Sequence, residues 1–248
     1  METLETLIDD TDAIFADRGE EMADHAEALE RAQRVDDARE LGRQLPPWLR
    51  KQRGEALSLL VEDLRLRVSD VRLIDAADFW EWGANLLLMG PTGIGKTSAT
   101  ALLWHRLVVR GVQTGGKEWR RTRGLVWVRA VQLATARRKH PLGRGDAPEI
   151  VAACEASLLF LDDLDREPES KRPVAEVLAA RYDAGLPTVL TTGLDGPELT
   201  ETHGAAVVRR IRETGGRRAL VVDCFAARPG VLRGSPPVDG KSAAAGGA

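Results

Sequence analysis

Between about residue 85 and residue 223 the chain alternates two patterns. Short unbroken apolar runs are separated by longer stretches in which apolar residues recur every three to four positions. The runs are Asn85-Leu86-Leu87-Leu88-Met89, Leu125-Val126-Trp127-Val128, Ser157-Leu158-Leu159-Phe160-Leu161, Pro187-Thr188-Val189-Leu190-Thr191-Thr192 and Arg218 to Asp223. Runs of this length are the signature of strands covered on both faces. The stretches between them predict helices from Ser98 to Val109, Ala130 to His140, Glu149 to Glu155, Lys171 to Ala184 and Gly204 to Thr214. Gly111-Val112 is expected to end the first of these, with a loop from there to Gly124, and Pro141 to Pro148 to form a second loop. Strand and helix in turn predict an α/β fold, a parallel sheet joined by right-handed crossovers.

Outside that core the pattern changes. Residues 1–45 carry an amphipathic helical pattern whose apolar stripe thins after Met22, with a break expected near Gly19. It has too few apolar positions for a core of its own, so it is expected to dock on a partner or on the following domain. Pro46-Pro47 ends it. Residues 46–83 again read as helix and finish in Phe79, Trp80 and Trp82, which are expected to pack against the sheet. The core occupies 84–225. Residues 226–248, rich in Pro, Gly, Ser and Ala, have little to bury and are expected to be disordered.

Composition adds boundaries. At 248 residues and 43% hydrophobic content the chain can build a sizeable core. No apolar stretch reaches the length of a membrane span, and the acidic start is not a signal peptide, so a cytoplasmic protein is expected. Cys154 and Cys224 are far apart and share no ligand-type spacing with the four histidines, which argues against a zinc site or a disulfide framework. A net charge of −3 conceals a strong asymmetry. Residues 1–44 hold 14 acidic and 5 basic side chains, whereas residues 104–145 hold 11 basic and 1 acidic. Within the basic region Lys117, Arg120, Arg121 and Arg123 flank Trp119, an arrangement suited to the phosphates and bases of a single strand, while arginines that merely solvate a helix face would read the same way.

Two motifs carry chemistry. Gly90-Pro91-Thr92-Gly93-Ile94-Gly95-Lys96-Thr97 follows the first strand and opens the first helix, with Ser98 just behind it. The glycines let the backbone turn its N–H groups onto phosphate oxygens, and the helix start adds its positive end. Lys96 is placed to reach the β- and γ-phosphates, and the Thr97 hydroxyl to ligate Mg²⁺. Some 65 residues on, the third strand runs into Asp162-Asp163. A strand delivers such carboxylates to the sheet edge where the metal sits, so Asp162 is expected to hold Mg²⁺ through water and Asp163 to act as general base. Thr192, at the tip of the fourth strand, is expected to touch the γ-phosphate and the attacking water.

The sequence from Trp82 to Thr97, Leu158 to Leu164, Ala180 to Thr188 and Val189 to Leu194 resembles the DnaC/IstB-type AAA+ ATPases, helicase loaders and transposition ATPases, over about residues 80–223. That resemblance implies a five-stranded sheet of order 5-1-4-3-2 and ATP hydrolysis with Mg²⁺ between neighbouring subunits of a homo-oligomer. It also implies single- or double-stranded DNA as ligand, and a replicative helicase or a transposase as client of the N-terminal extension. It further implies an arginine finger, for which Arg210 before Ile211 is the best match and Arg209 the rival. Three features depart from the family pattern. Gly193 stands where the first-sensor Asn is usual, Val222-Asp223-Cys224-Phe225 replaces the usual Ser-Tyr-Arg, and the first 80 residues match no motif.

Overall fold

A computed structural model describes residues 26–38, 40, 41, 43, 64–140, 145–168 and 173–225. The expected break near Gly19, the Pro46-Pro47 stop and the tail 226–248 lie outside these residues. Helix α1 covers residues 26–41, with Arg39 outside the description. A single helical turn at 64–66 leads to α2 (Val71–Phe79), where the Arg72 N–H is met by the Asp70 carboxylate. The core then runs β1 (Leu86–Met89), α3 (Lys96–Thr114), α4 (Gly116–Arg123), β2 (Leu125–Arg129), α5 (Ala130–Lys139), α6 (Pro148–Glu155), β3 (Leu158–Asp162), α7 (Pro173–Asp183) and β4 (Thr188–Thr192). It closes with α8 (Gly196–His203), α9 (Ala205–Arg212), a small antiparallel hairpin of β5 (Glu213–Thr214) and β6 (Arg217–Arg218), and β7 (Leu220–Asp223).

Five strands form one parallel sheet in the order β2-β3-β4-β1-β7. Counting only the sheet's own strands, this is the 5-1-4-3-2 order that the sequence resemblance implied. Alternate side chains of each strand feed opposite layers. Leu86, Leu88, Leu158, Phe160 and Val189 join α2 and α3 on one face. Leu87, Met89, Leu159, Leu161 and Leu190 join α5 to α9 on the other. Full burial of a leucine contributes roughly 1.5–3 kcal/mol, so a sheet covered twice has no tolerance for a polar register slip. That double cover explains why the strands read as unbroken apolar runs.

Several expectations needed correction. Gly111 does not end α3. Its Cβ would lie 2.2 Å from Thr122 Oγ1, so the glycine marks where α4 presses closely on α3 rather than a stop. The stretch expected to loop from there to Gly124 is α4 itself, with Trp119 and Thr122 turned inward. The aromatic trio divides: Trp80 is buried, Trp82 packs at the core margin, and Phe79 is 77% exposed. Helix α8 falls outside the expected elements, although Asp195-Gly196-Pro197-Glu198 carries its start. Asp195 Oδ1 accepts from Glu198 N and Glu198 Oε2 accepts from Asp195 N, each at 2.9 Å, a reciprocal cap.

The acidic extension docks, in its described part, on the core. Ala38 and Leu41 are buried in the α2/α3 layer. Arg34 Nε donates to the Val112 carbonyl at 3.1 Å, and Asp37 lies 3.7 Å from the Arg123 guanidinium. No helix among the described residues is long and apolar enough to cross a membrane.

Candidate nucleotide site

The sheet delivers the two motifs to one edge. The phosphate loop leaves β1, and β4, the neighbour of β1, carries Thr191 and Thr192 alongside it. Strand β3, on the far side of β4, ends at Asp162. Together they border a cleft of about 390 Å³ lined by Thr92, Gly93, Gly95, Lys96, Thr97 and Ser98 on one side and Asp163, Asp165, Arg166 and Gly193 on the other, with Arg67 reaching its rim. Gly95 has a left-handed φ of 97° and caps α3. A Cβ there would stand 2.6 Å from Arg67 O and from Val68 Cα, so both backbone shape and space demand glycine.

Asp162 is 2% exposed, and its Oδ1 accepts hydrogen bonds from Thr191 Oγ1 at 2.6 Å and from Thr97 Oγ1 at 3.0 Å. Burial pushes its pKa up to about 6 against the pull of the Thr191 hydroxyl. A carboxylate beside a hydroxyl is a donor pair of the kind hard divalent cations take, and such a cation would hold the acid ionised at neutral pH. Asp163 follows in the left-handed region at φ 57°, the only non-glycine with positive φ among the described residues, and its N–H donates to Thr191 Oγ1 at 3.0 Å. That turn is where the chain leaves the buried strand, and it puts Asp163 on the cleft wall. Backbone strain of this kind gathers at working sites.

Lys96 Nζ donates to the carbonyls of Gly90 at 2.6 Å and Pro91 at 2.9 Å, folding back on its own loop. Burial lowers its pKa, opposed by the charges of Asp165 and Asp163. The lysine therefore sits half-buried among acids, with donors that can be exchanged from carbonyls to a stronger acceptor.

At the tip of β4 two neighbouring threonines divide. Thr192 is fully buried, and its hydroxyl accepts from Leu194 N at 3.1 Å, away from the aspartates. Thr191, one position earlier, bridges Asp162 and Asp163 instead. The strand period of two explains the swap, because neighbouring side chains face opposite sides of the sheet. At Gly193, where the sequence departs from the Asn of the family it resembles, the N–H donates to Asp165 Oδ1 at 2.8 Å.

The arginines separate in the same way. Arg210 is half-buried on α9, and its Nε is shut from solvent without a hydrogen-bond partner. Arg209 is exposed and lines, with Arg212, Arg218 and Thr200, an open pocket of about 910 Å³. Asn85 fixes that helix: its Nδ2 donates to Arg210 O at 3.1 Å and Ile211 O at 2.8 Å while its Oδ1 accepts from Thr188 N at 2.7 Å. No sequence signal beyond a polar residue at the start of a buried run marked Asn85.

In the basic cluster, Trp119 is 8% exposed and packs inward, so it offers no face to a base. Arg121 lies over the Trp82 ring at 5.6 Å and pairs with Glu118 at 3.5 Å. Arg123 faces Asp37, which leaves Lys117 and Arg120 as the cations of α4 that stand exposed without an acidic neighbour at salt-bridge distance among the described residues.

No family model matches the chain, and no curated protein does. Among solved structures, DnaI is similar at 23% identity and a TM-score of 0.46, over 64% of this chain and 85% of that one. The DnaC helicase loader is similar at 21% identity and 0.44, over 62% and 87%. AMPPCP-bound DnaA from Aquifex aeolicus is similar at 18% and 0.44, over 72% of this chain and 50% of that one. The parallel sheet, the phosphate loop and the aspartates at the end of β3 are the features that the sequence resemblance led to expect.

Proposed function

We propose that the chain is a AAA+ ATPase that binds MgATP in the cleft between the phosphate loop and Asp163 and uses its hydrolysis, to ADP and phosphate, to load or remodel a DNA-processing partner, foremost a replicative helicase. The observation that carries the reading is the convergence of Thr97 and Thr191 on one buried Asp162 oxygen beside Lys96. Chance spacing of a glycine-rich turn would not place these groups on one carboxylate.

Each residue has a physical task. The loop N–H groups receive the α- and β-phosphates, and Lys96 gives up the Gly90 and Pro91 carbonyls for the β- and γ-phosphate oxygens. Thr97 would ligate Mg²⁺ and Asp162 would hold it through water, and the ion would supply charge neutralisation for the phosphates. Asp163 accepts the proton of the attacking water. Thr191 keeps both aspartates in register, donating to one and accepting from the backbone N–H of the other. An arginine from a second subunit of the homo-oligomer completes the charge balance. Exposure favours Arg209 for that part, while Arg210 matches the family order.

A second reading, an ATP-switched adaptor with little turnover, is favoured by Gly193, where a backbone N–H held by Asp165 leaves no side chain to position water. A steady-state assay of the full chain with and without single-stranded DNA separates the two. Turnover that rises with DNA supports the ATPase, tight MgATP binding with no turnover supports the adaptor, and absence of MgATP binding defeats both.

A further inference from the structure

The nucleotide cleft has a wall that neither motif supplies. The chain ahead of β1 lies directly on the phosphate loop. Ser69 N donates to Ile94 O at 3.1 Å and Ser69 Oγ to the same oxygen at 3.3 Å. The backbone of Arg67 and Val68 lies so near Gly95 that no side chain fits between them.

This contact is braced on both sides. Leu64 is fully buried and Val68 nearly so, both within the α2/α3 core layer. Arg67 N donates to Leu64 O at 3.2 Å and Val68 N to Arg65 O at 3.1 Å, closing one tight turn. Arg65 grips both carboxylate oxygens of Asp78 at 2.8 Å, which ties the turn to α2. Asp70 caps α2 and pairs with Arg72, whose Nη1 donates to Asp223 O at 3.0 Å at the end of β7. The turn is therefore fixed to α2, to the phosphate loop and, through Arg72, to the last strand.

Between the two buried anchors stands Arg67, an exposed residue that lines the cleft with Gly95, Lys96, Thr97 and Ser98. Among the described residues the cleft's charged lining is Arg67, Lys96 and Arg166 together with Asp163 and Asp165. The backbone of Arg67 stands beside Gly95, at the loop whose N–H groups are assigned to the α- and β-phosphates, while Asp163 and Asp165 occupy the opposite wall. A guanidinium has a planar fork of donors matched to phosphate oxygens, and a braced turn removes part of the entropy cost of holding it there.

Resting on the nucleotide-binding reading above, we propose that Arg67 is a phosphate-binding residue of this site, holding the α/β end of a nucleoside di- or triphosphate from the segment ahead of β1. It grips both nucleotides alike and takes no part in the bond that breaks. Interactions equal in ground and transition states change affinity and leave the chemical step untouched.

The test uses the full chain and its Arg67→Ala and Arg67→Lys variants, titrated with MgATP and with MgADP and melted with and without nucleotide. Expected is a loss of about ten-fold in affinity for both nucleotides in Arg67→Ala, an intermediate loss in Arg67→Lys, and an unchanged melting temperature without nucleotide. The smaller thermal shift on adding nucleotide should follow the affinity. Equal affinities in parent and Arg67→Ala would overturn the proposal, as would a loss confined to MgATP, which would put Arg67 at the γ-phosphate end. A parent that binds neither nucleotide would instead defeat the nucleotide-binding reading itself.

Discussion

The nucleotide cleft and helix α4 are both places where the sequence concentrates chemistry, and they turned out differently. In the cleft, Thr97 and Thr191, which lie 65 and 29 residues from Asp162 along the chain, both hydrogen-bond its carboxylate within 3.0 Å. On α4 the four cations point several ways: Arg121 over an indole, Arg123 toward the acidic extension, Lys117 and Arg120 outward. The cleft is specified by backbone conformation and strand ends, which sequence spacing encodes directly. The direction of a cation on a helix depends on what packs beside that helix, and spacing says little of it.

The largest effect should come from Asp163→Asn. Asparagine tolerates the left-handed backbone at this position, so the fold is kept while the proton acceptor is removed. Turnover should fall by about 10²- to 10⁴-fold with MgATP still bound. Undiminished turnover would place the base elsewhere, with Asp165 on the same wall as the first alternative.

Lys96→Ala comes next. Removing the one cation fixed inside the loop should weaken nucleotide binding by about 100-fold or more, read by equilibrium titration. An affinity equal to the parent's would remove the loop from the site.

A third effect is on stability. The folded pKa of Asp162, about 6, lies above its ordinary value of 3.8, so the folded chain holds this proton more tightly than the unfolded chain. This group's contribution to nucleotide-free stability should be greatest below pH 4, fall as pH rises toward 6, and level off above. Asp162→Asn should abolish that slope and stabilise the nucleotide-free protein at pH 8 by on the order of 2 kcal/mol, while forfeiting the further stabilisation by MgATP. Melting curves across pH decide it, and a slope that survives in the variant would mean another group titrates.

The smallest effect sharpens the comparison from the side of α4. If its outward cations track a nucleic-acid backbone, Lys117→Ala with Arg120→Ala should flatten the salt dependence of single-strand binding by about 0.7 for each phosphate no longer neutralised. Adding Arg121→Ala and Arg123→Ala should do little more, since those two already have partners. An unchanged slope in the double variant would return α4 to a solvated helix face.

By itself the sequence determined where the five sheet strands lie along the chain, because a twice-covered sheet forces unbroken apolar runs, and it determined the phosphate loop, because glycines at 90, 93 and 95 answer local backbone needs. It also determined that acids stand at the end of β3. Only the tertiary structure decided that Thr191 rather than Thr192 meets those acids, since the facing of alternate side chains is fixed by strand register. Packing alone turned Gly111 from a stop into a close approach of two helices and drew Trp119 inward. The place of Arg67 was hidden for the same reason. It lies 28 residues before Gly95 in a stretch without motif, and only the docking of its turn on the loop carries it to the cleft. Local conformational needs leave a mark in the local sequence, whereas the meeting of distant segments is set by the shape of everything packed between them.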